Sequence, residues 1–309
     1  MDIINMTQVT MFEFSGLTDS KVLVPFLFIF FFLVYMVTLV GNVGMMALVC
    51  VFSSLHTPMY FLLSSLSMVD ILYSSVITPN MLSHLLSSKK SISFLGCTLQ
   101  FYFFCSLVST ETLLLSSMSY DRYVAICHPL HYTLIMTKKK CFDLVFYSSI
   151  ASFLQSVAQT SCVFSLPFCG SNLIEHFYCD IPPLLKLSCS STFHCNVVTG
   201  ILVAVCGMYT LVTIFLSYTF IFISIFKMTS NKGRQKAFST CSSHIICVSI
   251  FMTTVFFVYL RPHSGTFDKQ DKVASVFYTI MTPMLNPLIY SLRNQEVKRV
   301  LAQAMLKYF

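Results

Sequence analysis

The chain has 309 residues, of which 56 % are hydrophobic and 10 % charged, with 31 Phe and a mean hydropathy of +0.77. A soluble globular protein carries about 25 % charged residues, so lipid rather than water is the main solvent expected here. The formal net charge of +7 comes without a basic stripe of interleaved aromatics, which leaves nucleic acid no footing as a partner.

Residues 1–22 read as a tail. They lack a basic flank ahead of an apolar core, so no cleaved signal peptide is expected, and Asn5-Met6-Thr7 forms an N-glycosylation sequon. A crossing helix needs about 20 mostly apolar residues, because the hydrocarbon core is roughly 30 Å thick and a helix rises about 1.5 Å per residue. Seven stretches qualify, at roughly 23–50, 58–80, 98–121, 141–166, 197–226, 238–260 and 272–292. Between the fourth and fifth, Pro167 to Asn196 is cysteine-rich and polar enough to be a loop. The pattern predicts an all-α membrane protein: tail 1–22, a seven-transmembrane helix bundle over 23–292, and a cytoplasmic segment 293–309 forming a short amphipathic helix.

Lys and Arg accumulate on the cytoplasmic side of a membrane. With the N-terminus outside, the inner segments hold 12 of them, including Arg122, Lys138, Lys139 and Lys140, and the outer segments 7. The count favours an extracellular N-terminus and an internal C-terminus, and it puts Asn5 where glycan is added. Of the 13 cysteines, Cys97, Cys169, Cys179, Cys189 and Cys195 then fall outside, where disulfides persist. That number is odd, so at least one stays unpaired or pairs elsewhere.

An ionisable side chain inside a span costs at least about 2.5 kcal/mol on insertion scales, which makes each one a functional candidate. Asp70 lies in the second span, Glu111 in the third, and Asp121-Arg122 at the inner end of the third. Along one helix Glu111 stands about 16 Å above Arg122, near mid-depth. Two buried carboxylates at similar depth are suited to share a proton or to sandwich a small cation such as sodium; the plainer alternative is a pair of neutral groups that tie helices together. No organic cofactor is expected.

The string Met118-Ser119-Tyr120-Asp121-Arg122-Tyr123-Val124-Ala125-Ile126-Cys127-His128-Pro129-Leu130-His131-Tyr132 resembles the hallmark of the odorant receptors, a family of rhodopsin-like G-protein-coupled receptors. Four further stretches agree in the same order: Leu55 to Ser67 followed by Asp70, Ser217-Tyr218 with Ile221, Lys236 to His244, and Pro283 to Asn294. With Gly41-Asn42 in the first span, the resemblance runs from about residue 12 to the C-terminus.

The resemblance implies roles residue by residue. Arg122 pairs with Asp121 at rest and is freed, beside Tyr123, to meet a heterotrimeric G protein of the olfactory stimulatory type, which raises cyclic AMP. Tyr218 and Tyr290 match tyrosines that steady the released state. Asn42, Asp70, Glu111 and Asn286 match a buried polar network, with Asp70 and Glu111 as a sodium or proton site. Cys97 matches a cysteine bonded to the second outer loop, here Cys179, and the ten-residue spacing implies a second bridge, Cys169 to Cys189. The sequence departs from the family at Phe251-Met252-Thr253, where Phe-Tyr-Gly is common, and at His128 and His131.

The family also places a small volatile odorant among the third, fifth, sixth and seventh helices. An enclosed apolar site with one or two polar anchors suits such a ligand. Residues sharing faces at helical spacing are Phe104, Cys105, Val108, Ser109 and Thr112 on the third helix, Thr199, Leu202, Val203 and Cys206 on the fifth, and Met252, Val255, Phe256 and Tyr259 on the sixth. Apolar residues at this spacing are usually packing, so Ser109, Thr112 and Tyr259 are the stronger anchors. Phe104 stands where amine receptors carry an aspartate, and no lysine lies near Ile280 for a retinal Schiff base. His176-Phe177-Tyr178-Cys179-Asp180 offers metal-ligand types, but a disulfide at Cys179 would remove the thiolate. Two other classes are weaker: a transporter or channel predicts internal repeats, which are missing, and an intramembrane enzyme predicts a motif such as H-E-x-x-H, which does not occur.

Overall fold

The computed structural model describes residues 9–18, 20–87, 89–169, 171–259, 269–293 and 295–308. Asn5 lies outside the described residues, as does the side chain of Tyr259.

Helix α1, Leu23–Val51, is apolar on every face, yet only Phe31, Val34, Thr38, Asn42 and Met45 are buried. These recur at three- and four-residue spacing, the stripe a helix presents to its neighbours, while Phe26, Phe30, Val37 and Val40 stay exposed. Such a surface would aggregate in water; against acyl chains it is the solvent-facing side. A short turn at Ser53–Leu55 leads to α2, Pro58–Leu86, which starts with proline at its first positions, where the missing N–H has no partner to lose. Pro79 inside α2 interrupts the ladder, and the Gln100 amide reaches across to donate to the Val76 carbonyl at 3.2 Å.

Helix α3, Phe94–Cys127, is capped by Ser93, whose hydroxyl accepts from the Gly96 N–H at 3.0 Å. Its 34 residues reach well past the hydrocarbon, which apolar composition alone underestimates. After the turn Pro129–His131 come α4, Tyr132–Ile135, and α5, Lys138–Phe164, capped by Thr137. A loop carrying the short α6, Ile181–Lys186, leads to α7, Phe193–Lys227, and then α8, Asn231–Tyr259. The seventh crossing is composite: α9, Lys269–Val276, a wide π turn at Phe277–Met281, and α10, Thr282–Arg293. Helix α11, Gln295–Tyr308, follows and buries Val297 and Val300.

Six of these crossings are long and apolar enough to span a bilayer by length and composition. The remaining one, α8, has a shorter apolar run, Cys241–Phe257, because its first turns are basic and polar. Helix α3 is the hub, packed on α2, α5, α7 and α8, while α1 closes the ring against α2 and α10. Gly41 permits that closure: a Cβ there would sit 3.1 Å from Pro287 Cγ.

One end of the bundle is covered by a three-stranded sheet, an element beyond the all-helical expectation. Strand β1, Met11–Phe14, is central, antiparallel to β2, Ser91–Ser93, and parallel to β3, Leu173–Ile174. Alternation turns Phe12 and Phe14 inward to full burial. Phe12 stacks on Phe94 at 6.0 Å and meets Phe168 edge-on at 5.4 Å. The chain then turns at Gly16, φ +74°, a left-handed conformation that glycine adopts without penalty. Lys272 ties this turn down, donating to Ser15 Oγ at 2.8 Å and the Gly16 carbonyl at 2.9 Å. Disulfides join Cys97 to Cys179 and Cys169 to Cys189, with Cα separations of 5.7 and 5.9 Å. The long loop is thereby fastened to the top of α3 and to itself.

Candidate ligand and coupling site

Beneath the sheet the loop enters the bundle. Cys179 N–H donates to Gln100 Oε1 at 3.0 Å, so Gln100 joins α2, α3 and the loop. Asp180 is fully buried. Its Oδ1 accepts from the Ile181 N–H at 2.8 Å, its Oδ2 from the Tyr178 hydroxyl at 2.9 Å, and Tyr178 shares a hydrogen bond with Tyr278 of the π turn. Phe104 packs against this group, its ring centroid 5.0 Å from Tyr178, 5.9 Å from Tyr73 and 6.3 Å from Tyr278. Tyr73 is completely buried, and its hydroxyl has no hydrogen-bond partner. A buried hydroxyl normally finds one, which makes Tyr73 a polar group open to a guest.

His176 is also fully buried and packs on Phe177 and Tyr178 at 4.6 and 4.5 Å. Burial, followed by the charge of Lys272, pushes its ionisation down to about 3, so it stays neutral at physiological pH. The metal-ligating reading of His176 to Asp180 loses its thiolate, because Cys179 is half of a disulfide.

The sequence-derived pocket residues fall in different surroundings. Phe104, Cys105, Ser109, Thr199 and Met252 are buried, and Val108, Thr112, Leu202, Val203, Cys206, Val255 and Phe256 are half-buried. The Ser109 hydroxyl accepts from Gln155 of α5 at 3.2 Å, so it faces that helix. Thr112 donates to the Val108 carbonyl and Thr199 to that of Cys195, both at 2.7 Å; each hydroxyl is engaged by its own helix. Phe256 leans on α7 at Gly207. The polar groups that converge under the lid are therefore Tyr73, Tyr178, Asp180 and Tyr278. Tyr73 lies three residues after Asp70, on the same face of α2, the one sequence signal that pointed to it.

At mid-depth Asp70 and Glu111 are both fully buried and meet at Asn286. The Asn286 amide donates to Asp70 Oδ1 and Oδ2 at 3.2 and 3.1 Å and to Glu111 Oε1 at 3.3 Å. Glu111 Oε2 has no partner. Two carboxylates away from water need a compensating positive charge, and this orphaned oxygen fits either a proton or a monovalent cation. Among the described residues no group of three or more His, Cys, Asp or Glu could hold a metal ion. Asn42 braces the neighbourhood, donating to the Thr38 and Pro283 carbonyls at 3.0 Å each.

At the end opposite the sheet, Arg122 forms an ion pair with fully buried Asp121, donating through both Nε and Nη2. The other Asp121 oxygen accepts from the Tyr132 hydroxyl of α4 at 2.8 Å. Burial, then the Asp121 charge, pushes the ionisation of Tyr132 up, so it remains a donor. Across a cavity of about 20 Å³ from Arg122 lie Ser243, His244 and Tyr290, space for one water. Tyr218 bonds to His244 Nδ1 at 2.7 Å, and His244 Nε2 meets the Leu115 carbonyl at 3.1 Å. Because Leu115 offers only an acceptor, Nε2 carries the proton and Nδ1 accepts from Tyr218. This bond fastens α7 and α8 to α3 away from Arg122. Tyr123 shares a hydrogen bond with His128 at 3.1 Å. Neither Tyr132 nor His244 drew a role from the sequence, although both stand within the strings quoted for the resemblance.

A lidded bundle of seven helices with a buried Asp121–Arg122 ion pair at its far end is the arrangement to compare with solved membrane proteins. Squid rhodopsin shares the fold with a TM-score of 0.69 at 18 % identity, over 93 % of this chain and 86 % of that one. The olfactory receptor family profile matches residues 31–308. The chain is 52 % identical to olfactory receptor 5AP2 of Mus musculus over 308 residues, 98 % of this chain and 96 % of the relative. It is likewise 52 % identical to olfactory receptor 5B12 of Homo sapiens over 294 residues, 95 % and 94 % of the two chains. This chain belongs to the olfactory receptor family, whose members are signalling receptors and not enzymes.

Proposed function

We propose that this receptor sits in the plasma membrane with the sheet outside and Arg122 facing the cytosol, binds a small, mostly apolar volatile beneath the lid, and activates an olfactory-type stimulatory G protein to raise cyclic AMP. The observation that carries the reading is the ion pair and hydrogen bond joining Asp121, Arg122 and Tyr132, at the end of the bundle remote from the aromatic cluster under the lid. Two disulfides at the sheet end suit an oxidising exterior, and the Lys138 to Lys140 run at the other end suits the cytosol.

Phe104, Tyr73 and Tyr278 supply an apolar wall, with the Tyr73 hydroxyl to orient one polar atom of the odorant. The ligand acts by binding the open state better than the closed one, since equal affinity for both shifts nothing. Opening releases α8 from the Tyr218–His244 bond and Arg122 from Asp121, exposing a cationic cleft for the G protein. A sodium ion or a shared proton at Asp70 and Glu111 offsets their charge in the resting state.

The test is a cyclic AMP reporter in cells expressing the receptor, challenged with a panel of volatiles, alongside Arg122→Ala. Arg122→Ala is expected to reach the surface and stay silent to every volatile that excites the parent. An undiminished response in that variant, or ion flux with no cyclic AMP in the parent, would refute the coupling assigned to Arg122.

A further inference from the structure

Two bridges use four of the five cysteines expected on the sheet side and leave Cys195. It stands two residues into α7, which begins at Phe193. Cys162 stands two residues from the last residue of α5, Phe164. Each is thus within one helical turn of the bundle end that carries the sheet, about 3 Å from its helix terminus. Helices α5 and α7 pack on one another, and Cys195, almost fully buried, and Cys162, half-buried, belong to the same cluster of packed side chains.

We propose that Cys162 and Cys195 form a third disulfide that joins the outer ends of α5 and α7. The inference rests on the outward orientation of the sheet end. The loop between them includes the Cys169–Cys189 bridge, which shortens the connection between the two helix ends and favours a bridge across them. The chemistry is thiol–disulfide exchange with a disulfide-bearing oxidoreductase of the secretory lumen. One cysteine, as thiolate, attacks the enzyme disulfide and forms a mixed disulfide. The second thiolate displaces the enzyme sulfur, leaving Cys162–Cys195 bonded and the enzyme reduced to a dithiol: two electrons pass to the enzyme, and the two protons released by the receptor thiols end on the enzyme's two sulfurs. The bridge fixes the outer half of α7, the helix carrying Thr199, Leu202, Val203 and Cys206, against α5, and confines the motion of α7 to its inner end.

The full-length receptor, expressed in mammalian cells, is quenched in acid to stop exchange, dissolved in denaturant with N-ethylmaleimide, digested with pepsin and read by mass spectrometry. The expected result is a peptide pair joining Cys162 to Cys195, released by reductant, with linked Cys195 exceeding alkylated Cys195 by roughly tenfold or more. Alkylation of both cysteines, or linkage of either to one of the other four, overturns the proposal. The Cys97–Cys179 pair in the same digest reports orientation: its presence beside alkylated Cys162 and Cys195 refutes the third bridge alone, whereas its absence with both alkylated refutes the outward placement as well.

Discussion

Tyr132→Phe isolates one bond of the proposed lock. The substitution keeps the ring and removes only the hydroxyl that donates to Asp121 at 2.8 Å. A hydrogen bond to a charged group contributes about 1.5–3 kcal/mol. Tyr132 is half-buried, so water competes for part of that, and about 1–2 kcal/mol is a fair figure for the share lost from the closed state. At 1.4 kcal/mol per factor of ten, the closed-to-open ratio falls roughly five- to thirty-fold. If the open state is a minor species, ligand-free cyclic AMP rises by about the same factor. The assay plots basal reporter signal against surface receptor, measured on an extracellular tag, over a range of expression. Because Tyr132 stays protonated, its ionisation pushed up by burial and Asp121, the effect is the same at neutral and mildly alkaline pH. A slope for Tyr132→Phe that matches the parent would show that this bond does not bias the closed state.

Two further outcomes follow from the lid. Cys97→Ser opens a bridge of sequence separation 82 and Cys169→Ser one of 20, so chain-entropy reasoning assigns losses of about 4.5 and 3.3 kcal/mol; flow cytometry is expected to show a deeper loss of surface receptor for Cys97→Ser, and equal surface levels would contradict it. His176 is neutral in the folded lid, with ionisation pushed down to about 3, while an unfolded chain takes up that proton near pH 6.5. Its contribution is therefore complete above pH 6.5 and is lost as the medium is acidified toward 3, by about 1.4 kcal/mol per unit at the steepest. Thermal melting between pH 7.5 and 5 is expected to flatten in His176→Phe, which preserves the ring stacking, and an unchanged acid slope in that variant would exclude the histidine.

The crossings were legible because hydrocarbon imposes one length and one composition, and both can be counted from residue letters. Helix ends were less so. Residues 94–97 and 122–127 extend α3 at either end, since a helix outside the lipid is held by caps and neighbours such as Ser93 rather than by apolarity. The tail segment Met11–Phe14 alternates in the two-residue period of a strand, but its partners lie about 80 and 160 residues away, and no local pattern specifies such pairing. Asp180 reads from its neighbours as one of a run of metal-ligand types, and only the fold shows it buried under the lid beside Tyr178. Ser109 looked like an anchor on its own helix face, but the choice between chamber and α5 depended on Gln155, which spacing along α3 does not reveal.

The central place of β1 in the sheet orders events during synthesis. Strand β1 is translated first, yet its two flanking strands are not both complete until residue 174. At about 5–20 residues per second, the leading segment waits on the order of ten to thirty seconds with two phenylalanines uncovered before its site is complete. During that interval it is an unpaired hydrophobic segment, open to chaperones. A fusion that occupies those few residues would delay maturation of the whole receptor even though every crossing had inserted correctly.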